Sequence, residues 1–292
     1  MSSWYKISEA LGLWACAVVA LGQTTDDAAT GRELATVDTE YAKTALEKGM
    51  PAASVDYFAS DGVAFAPFAV NGKKYWASRT NFPGTLIWQP TFVAVARAAD
   101  LGYTTGPWEL KKKDEQISLA YGQYLTIWKR KPEERWKMAL DVGTENAQPT
   151  SPPAQLEILP PDPTAGERPV EEARQSLRKA IRAFLHAAQR NIGKAISTNA
   201  AEEIRVFREQ SFPAVGLTAA RLMLSSATGK VIREPGAIEL SNSADLAYTH
   251  GNYAEDRAIA IEHGIYVMIW RIDMNGDWKL VCDVQKKVEQ EP

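Results

Sequence analysis

The sequence predicts an α+β protein built as two tandem copies of one compact domain, each with about three helices packed on a curved antiparallel sheet. Three observations predict it. A proline-rich stretch splits the chain into halves of similar length. Matched blocks of residues recur in the same order on either side of it. Each half opens on apolar residues at helical spacing and continues in β-branched and aromatic runs broken by turn signals.

Residues 146–169 carry seven prolines. Proline lacks a backbone donor and biases its predecessor away from helix, so this stretch reads as a stiff, extended linker. The division that follows is a first domain over 24–146, a linker over 147–169 and a second domain over 170–290. Pro90, Ala99, Asp100, Leu101, Tyr103, Thr104 and Gly106 meet Pro235, Ala244, Asp245, Leu246, Tyr248, Thr249 and Gly251 without a gap. Further on, Gly122, Tyr124, Ile127 and Trp128 meet Gly264, Tyr266, Ile269 and Trp270. Trp136, Lys137, Asp141 and Val142 then meet Trp278, Lys279, Asp283 and Val284. The register slips once between the first block and the later two, as a shortened hairpin loop would produce. Three blocks in one order point to duplication of a whole domain.

Leu34, Val37, Tyr41, Ala42 and Ala45 form one helical face, and Leu177, Ile181, Phe184, Leu185, Ala188 and Ile192 form its counterpart. A short second helix is expected near 52–58, ending at Ser60-Asp61-Gly62. Another is expected over 73–79, with its partner near 218–224. Strands are expected over 91–97, 100–110, 116–130 and 135–144, and again over 237–240, 245–254, 257–272 and 278–288. Asn275-Gly276 is a two-residue hairpin signal.

The chain has 292 residues, 45% of them hydrophobic and 24% charged, with a formal net charge of −3. That balance excludes the basic footprint of a nucleic-acid binder. Residues 11–22 form an uncharged apolar run after Lys6, with the small-x-small site Ala20-Leu21-Gly22, which reads as a secretory signal peptide over 1–22. The run is too short for a membrane span. Export to the periplasm or the exterior is therefore expected. Cys16 is an alternative lipid-attachment residue, although Trp14 stands where a small residue would be expected. Cleavage leaves Cys282 alone, so burial and not a disulfide must hold the fold.

The motifs Val-Asn-Gly-Lys-Lys-Tyr-Trp, Asp-Leu-Gly-Tyr-Thr-Thr-Gly, Gly-Gln-Tyr-Leu-Thr-Ile-Trp and Trp-Lys-Met-Ala-Leu-Asp, after two helices and Ser-Asp-Gly, resemble the nuclear-transport-factor-2-like superfamily. More narrowly they resemble its SnoaL-like and ketosteroid-isomerase-like bacterial members of uncharacterised function. The resemblance covers 30–145 well and 172–288 more loosely. It implies a cone-shaped domain enclosing an apolar pocket, in a superfamily that mixes isomerases, cyclases, dehydratases and non-catalytic binding domains. Fold alone therefore gives no activity.

Asp141 and Asp283 lie in the last strand of each half beside apolar residues, where a carboxylate is costly unless paired or neutral. Each reads either as a pocket acid or base, or as a carboxylate bonded to backbone, Lys or Arg. Tyr41, on the first helix, is the candidate hydroxyl partner of Asp141. The resemblance implies a functional acid at Asp61, and tracing the second half back places Arg205 near that position. Asp100 and Asp245 read as turn residues or as further pocket carboxylates. Trp88, Tyr103, Tyr124, Trp128 and Tyr248 are candidates to stack on a flat apolar ligand. Trp136 and Trp278 read as sheet core, and the counterpart of Trp88 is Arg233. His250 replaces Thr105, and its strand parity sets it opposite Asp245. The spacing of His186, His250 and His263 predicts no metal site, and no cofactor motif appears.

Two functions follow, beside a purely structural role in which the duplicated domains present a surface. One is an exported protein that binds a small apolar ligand in a conical pocket, its domains forming an internal pseudo-dimer or a homo-oligomer. The other is a cofactor-free acid–base enzyme of isomerase, cyclase or dehydratase type, using Asp141 with Tyr41 or Asp61.

Overall fold

The computed structural model describes residues 23–80, 82, 84–113, 115, 117–161, 168–227, 229–256 and 260–288. The expected leader and Cys16 lie outside the described residues.

The chain is α+β, with six helices and two sheets among the described residues. Its first half runs α1 (Gln23–Lys48), α2 (Met50–Tyr57), β1 (Phe58–Phe65), β2 (Ala69–Asn71) and α3 (Gly72–Ala77), followed by strands only. These are β3 (Gly84–Trp88), β4 (Phe92–Val95), β5 (Leu101–Lys112), β6 (Ser118–Lys129) and β7 (Lys137–Asn146). After β8 (Glu157–Leu159) the same succession returns as α4 (Val170–Ala188), α5 (Ile192–Asn199), β9 (Ala200–Arg208), β10 (Ala214–Val215) and α6 (Leu217–Met223). The strands β11 (Val231–Arg233), β12 (Ile238–Leu240), β13 (Leu246–Asp256), β14 (Ile261–Ile272) and β15 (Trp278–Lys287) complete it.

Local chemistry sets these elements. Gly49, at φ 84°, breaks α1 from α2 in a backbone region that other residues avoid. The side chains of Asn71 and Asn191 cap α3 and α5 by accepting the N–H of Lys74 and Lys194, at 2.9 and 2.7 Å. The first sheet has the order β2-β1-β7-β6-β5-β4-β8 and the second β10-β9-β15-β14-β13-β11. In both, the first long strand lies parallel to the last, and the meander between is antiparallel.

One face of each sheet takes its helices. Leu34, Tyr41, Ala53, Trp128 and Met138 pack there in the first half, and Leu177, Phe184, Ile196, Trp270 and Leu280 in the second. The opposite faces pack on each other. Tyr103, Leu125, Ile127 and Val142 meet Tyr248, Val267, Ile269 and Val284 in one buried cluster with Cys282. Strand alternation explains the split, because neighbouring residues point to opposite faces. At the sheet ends Asp245 accepts the N–H of Arg97 at 3.0 Å, and Asp100 accepts that of Asn242 at 2.9 Å. The exchange is reciprocal, as in a two-fold interface.

Several segments differ from the sequence expectation: β2, β3, β9, β10 and β11 were not expected, and Ile192 opens a separate helix, α5, after α4 has ended at Ala188. Helix α2 ends at Tyr57, and Ser60-Asp61-Gly62 belongs to β1. The pairing of β1 with β7 changes register between Phe58 and Val63, so turn-forming residues fit inside an irregular strand. The proline-rich linker is extended, but it also docks. Its β8 adds to β4 in parallel, and Glu157 accepts a hydrogen bond from Arg205 at 2.7 Å. Among the described residues no helix is long and apolar enough to cross a membrane.

Candidate functional site

A cavity of about 240 Å³ lies between the helices and sheet of the first half. Tyr41 and Met50 line it from the helices, with Trp76 from α3. Leu86 and Trp88 come from β3, Trp108 from β5, and Tyr124 and Thr126 from β6. Asp141 and Gly143 of β7 complete the sheet side.

A bulge aims Asp141 into this space. Opposite Ile127 stands Leu140, but opposite Trp128 stands Met138, leaving Ala139 over. The extra residue resets the alternation, so Leu140 and Val142 face the other sheet while Met138 and Asp141 face the helices. The same bulge occurs at Val281 in the second half.

Thr126 donates its hydroxyl to Asp141 at 2.7 Å. Burial pushes the Asp141 carboxyl up to about 6; Thr126 and Lys286 pull it down and Asp38 adds to the rise. Tyr41 lies in the same cavity, but its hydroxyl pairs with Ser54 at 2.9 Å and its ring stacks with Tyr57 and meets Trp88 edge-on. Burial and the nearby carboxylates hold that phenol well above its ordinary value.

Asp38 is a functional candidate that sequence reasoning missed. It has no exposed surface, and it accepts the Trp88 indole N–H at 2.9 Å and the Tyr124 hydroxyl at 2.7 Å. Burial raises its pKa against those bonds. Asp38 sits between Leu34 and Tyr41 on the apolar stripe of α1, and an acid on such a stripe was the available signal.

The second half keeps the frame and sets a buried arginine into it. Trp88 pairs with Trp108 on the neighbouring strand, and at the matching place Arg233 pairs with Tyr253. Arg233 is fully buried, and its guanidinium donates to both oxygens of Asp283, at 2.5 and 3.0 Å, and to Gln285 at 3.0 Å. Arg208 donates to the same carboxylate at 2.7 Å. Burial alone would raise Asp283, but Arg233 and Arg208 outweigh it and hold the carboxyl at about 2. Phe184 and Ile181 stand at the places of Tyr41 and Asp38 on the helix.

The remaining predicted residues lie elsewhere. Asp61 is exposed on β1 and accepts from Lys129 at 2.6 Å, which lowers its pKa. The strand register sets Glu203, and not Arg205, at its place in the second half: Phe58 opposes Met138 as Ala200 opposes Leu280. Glu203 pairs with Arg271 as Asp61 pairs with Lys129. Asp100 serves the inter-sheet turn, and Tyr103 and Tyr248 are buried between the sheets. Trp128 is fully buried under α1 and donates to Thr104 at 2.9 Å. His250 meets Phe65 edge-on, and burial lowers its pKa. Among the described residues, no three His, Cys, Asp or Glu side chains are grouped to hold a metal ion.

No family model matches the chain, and no curated protein matches it. Solved structures do resemble it. One is a ketosteroid isomerase-like protein from Erwinia carotovora atroseptica, 16% identical, with TM-score 0.36, covering 40% of this chain and 96% of that one. Another is a nuclear-transport-factor-2-like protein of unknown function from Shewanella oneidensis, 13% identical, with TM-score 0.33, covering 39% and 98%. A third is SalBIII, an epoxide hydrolase/cyclase-like enzyme of pyran ring formation in salinomycin, 13% identical, with TM-score 0.33, covering 39% and 92%.

Proposed function

We propose that the chain is a tandem nuclear-transport-factor-2-like protein whose first half binds a small, largely apolar molecule and whose second half is a closed copy that braces it. In this reading 24–146 and 170–290 descend from one cone-shaped domain. The observation that carries it is the aromatic cavity of about 240 Å³ in the first half, set against the buried Arg233 that fills the matching place in the second. An apolar enclosure with a few convergent polar groups is the usual form of a small-molecule site. The test is a titration with the neutral fluorophore N-phenyl-1-naphthylamine. One bound molecule per chain is expected; no enhancement up to the solubility limit would refute the reading.

A second reading is favoured by Asp141 itself. A carboxyl held at about 6 in one cavity with Tyr41 and Tyr124 can exchange a proton with a carbon acid near neutral pH. Deuterium exchange into a cyclic ketone such as 2-tetralone, followed by NMR, checks it. Exchange at the buffer rate, or unchanged by Asp141→Asn, would dismiss it. Export remains part of the proposal and is tested by N-terminal sequencing of protein made with residues 1–22 present; an intact Met1 in the cytosol would contradict it.

A further inference from the structure

The second half shows what its own pocket frame accepts. From the register place of Trp88, the guanidinium of Arg233 lies 5.0 Å from the Tyr266 ring centre and 5.8 Å from that of Phe184. It is bound by both oxygens of Asp283. The first half repeats this frame. Tyr124 and Asp141 occupy the strand places of Tyr266 and Asp283. Tyr41 meets Trp128 edge-on at 6.3 Å, as Phe184 meets Trp270 at 5.6 Å.

What the first-half frame lacks, among the described residues, is the cation. Trp88 replaces Arg233 and turns its N–H to Asp38. Val63 opposes Leu140 as Arg205 opposes Cys282, so three residues on, Ala66 stands where Arg208 does. A part-buried carboxyl group, Asp141, thus faces an aromatic cavity with no Lys or Arg among its described lining residues, and the fully buried Asp38 holds its Trp88 and Tyr124 walls. Lys286 of β15 bears on Asp141 from the far sheet, but its Nζ donates to the Gly143 carbonyl at 2.6 Å and lies 3.6 Å from Glu209. A buried carboxylate without a counter-charge is costly, and the faces of Trp and Tyr rings attract cations.

We propose that the first-half cavity takes an organic cation, a guanidinium or ammonium ion with an apolar body, whose charge sits against Asp141 and whose body lies among Trp76, Trp88 and Trp108. This rests on the reading of that cavity as a binding site and names the class of its ligand. Arg233 is the intramolecular counterpart of that ligand.

The experiment compares phenylguanidinium with its neutral isostere phenylurea by isothermal titration of the full chain, each also tested for displacement of N-phenyl-1-naphthylamine. Phenylguanidinium is expected to bind once per chain, about tenfold or more tighter than phenylurea. Asp141→Asn should remove that preference while leaving phenylurea binding in place. Affinity for the cation should also rise with pH as Asp141 ionises, with Asp38 and Tyr41 of α1, Tyr124 of β6 and Lys286 of β15 facing it. Equal or tighter binding of phenylurea would overturn the proposal and leave the binding reading standing. Failure of both compounds to bind overturns the proposal as well, and the fluorophore titration then shows whether the binding reading falls with it. Should Asp141→Asn not fold, the pH series on the native chain decides alone: a preference flat between pH 5 and 8 would refute the proposal.

Discussion

Arg233 holds Asp283 through both terminal nitrogens, at 2.5 and 3.0 Å, and the pair has no exposed side-chain surface. Asp141, at the matching place of the first sheet, has a threonine hydroxyl for a partner and a cavity in front of it. One frame has been finished in two ways, and the difference can be measured.

The same substitution should act with opposite sign at the two places. Asp283→Asn leaves Arg233 and Arg208 buried without their counter-charge and should cost about 3–5 kcal/mol. Asp141→Asn removes a carboxylate that burial already disfavours and should stabilise the chain at pH 7 by about 2 kcal/mol. Urea denaturation of the two variants checks both.

The pH profile follows from the same two groups. The folded pKa of Asp141 is raised, so the folded state holds its proton longer than the unfolded one. Its contribution falls as pH rises from about 4 to about 6 and is flat above. The folded pKa of Asp283 is depressed, so its contribution is present above the unfolded value of 3.8 and is lost as pH falls toward about 2. Melting temperatures from pH 2 to 8 should rise, pass a maximum near pH 4–5, and then decline. Asp141→Asn should lessen the decline, and the raised pKa of Asp38 should leave a remainder.

Asp38 pins the two aromatic walls of the cavity. Asp38→Ala removes the acceptor of the Trp88 N–H and the Tyr124 hydroxyl, and should cost about 2–4 kcal/mol. Asp38→Asn keeps an acceptor oxygen and should cost less. Near-ultraviolet circular dichroism should change more in the alanine variant, since a tryptophan and a tyrosine are released together.

The reciprocal inter-sheet bonds are not equal in weight. Asp245 is buried and accepts from the Arg97 N–H and from the hydroxyls of Ser241 and Ser243, at 3.0, 2.9 and 2.6 Å. Asp100 accepts the Asn242 N–H and is half-buried. Asp245→Ala should therefore cost about 3 kcal/mol and Asp100→Ala about 1 kcal/mol, again by chemical denaturation.

The long strands and leading helices were legible because their periodicity is strong and recurs in both halves. Strand β1 was hidden because Ser60-Asp61-Gly62 has turn chemistry yet fits a strand whose register breaks there. Strand β8 was hidden because prolines flank it at the sheet edge, where a missing donor is tolerated. Asp141 could be singled out from its apolar neighbours, but its orientation depends on the bulge at Ala139, which leaves no mark in the residue pattern. Tyr103 and Tyr248 looked like pocket aromatics because composition does not tell one face of a sheet from the other. The exchange of Trp88 for Arg233 was visible in the sequence, and only the packed side chains show that Arg233 binds Asp283 where Asp141 fronts a cavity.

Trp88→Arg writes the second half's residue into the first, and binding of N-phenyl-1-naphthylamine to this variant is the most direct measurement. A folded Trp88→Arg chain should bind none, because the new guanidinium reaches Asp141 and fills the cavity, whereas the native chain binds one molecule. Unchanged binding by the variant, or two molecules bound per native chain, would contradict an open first half and a closed second half.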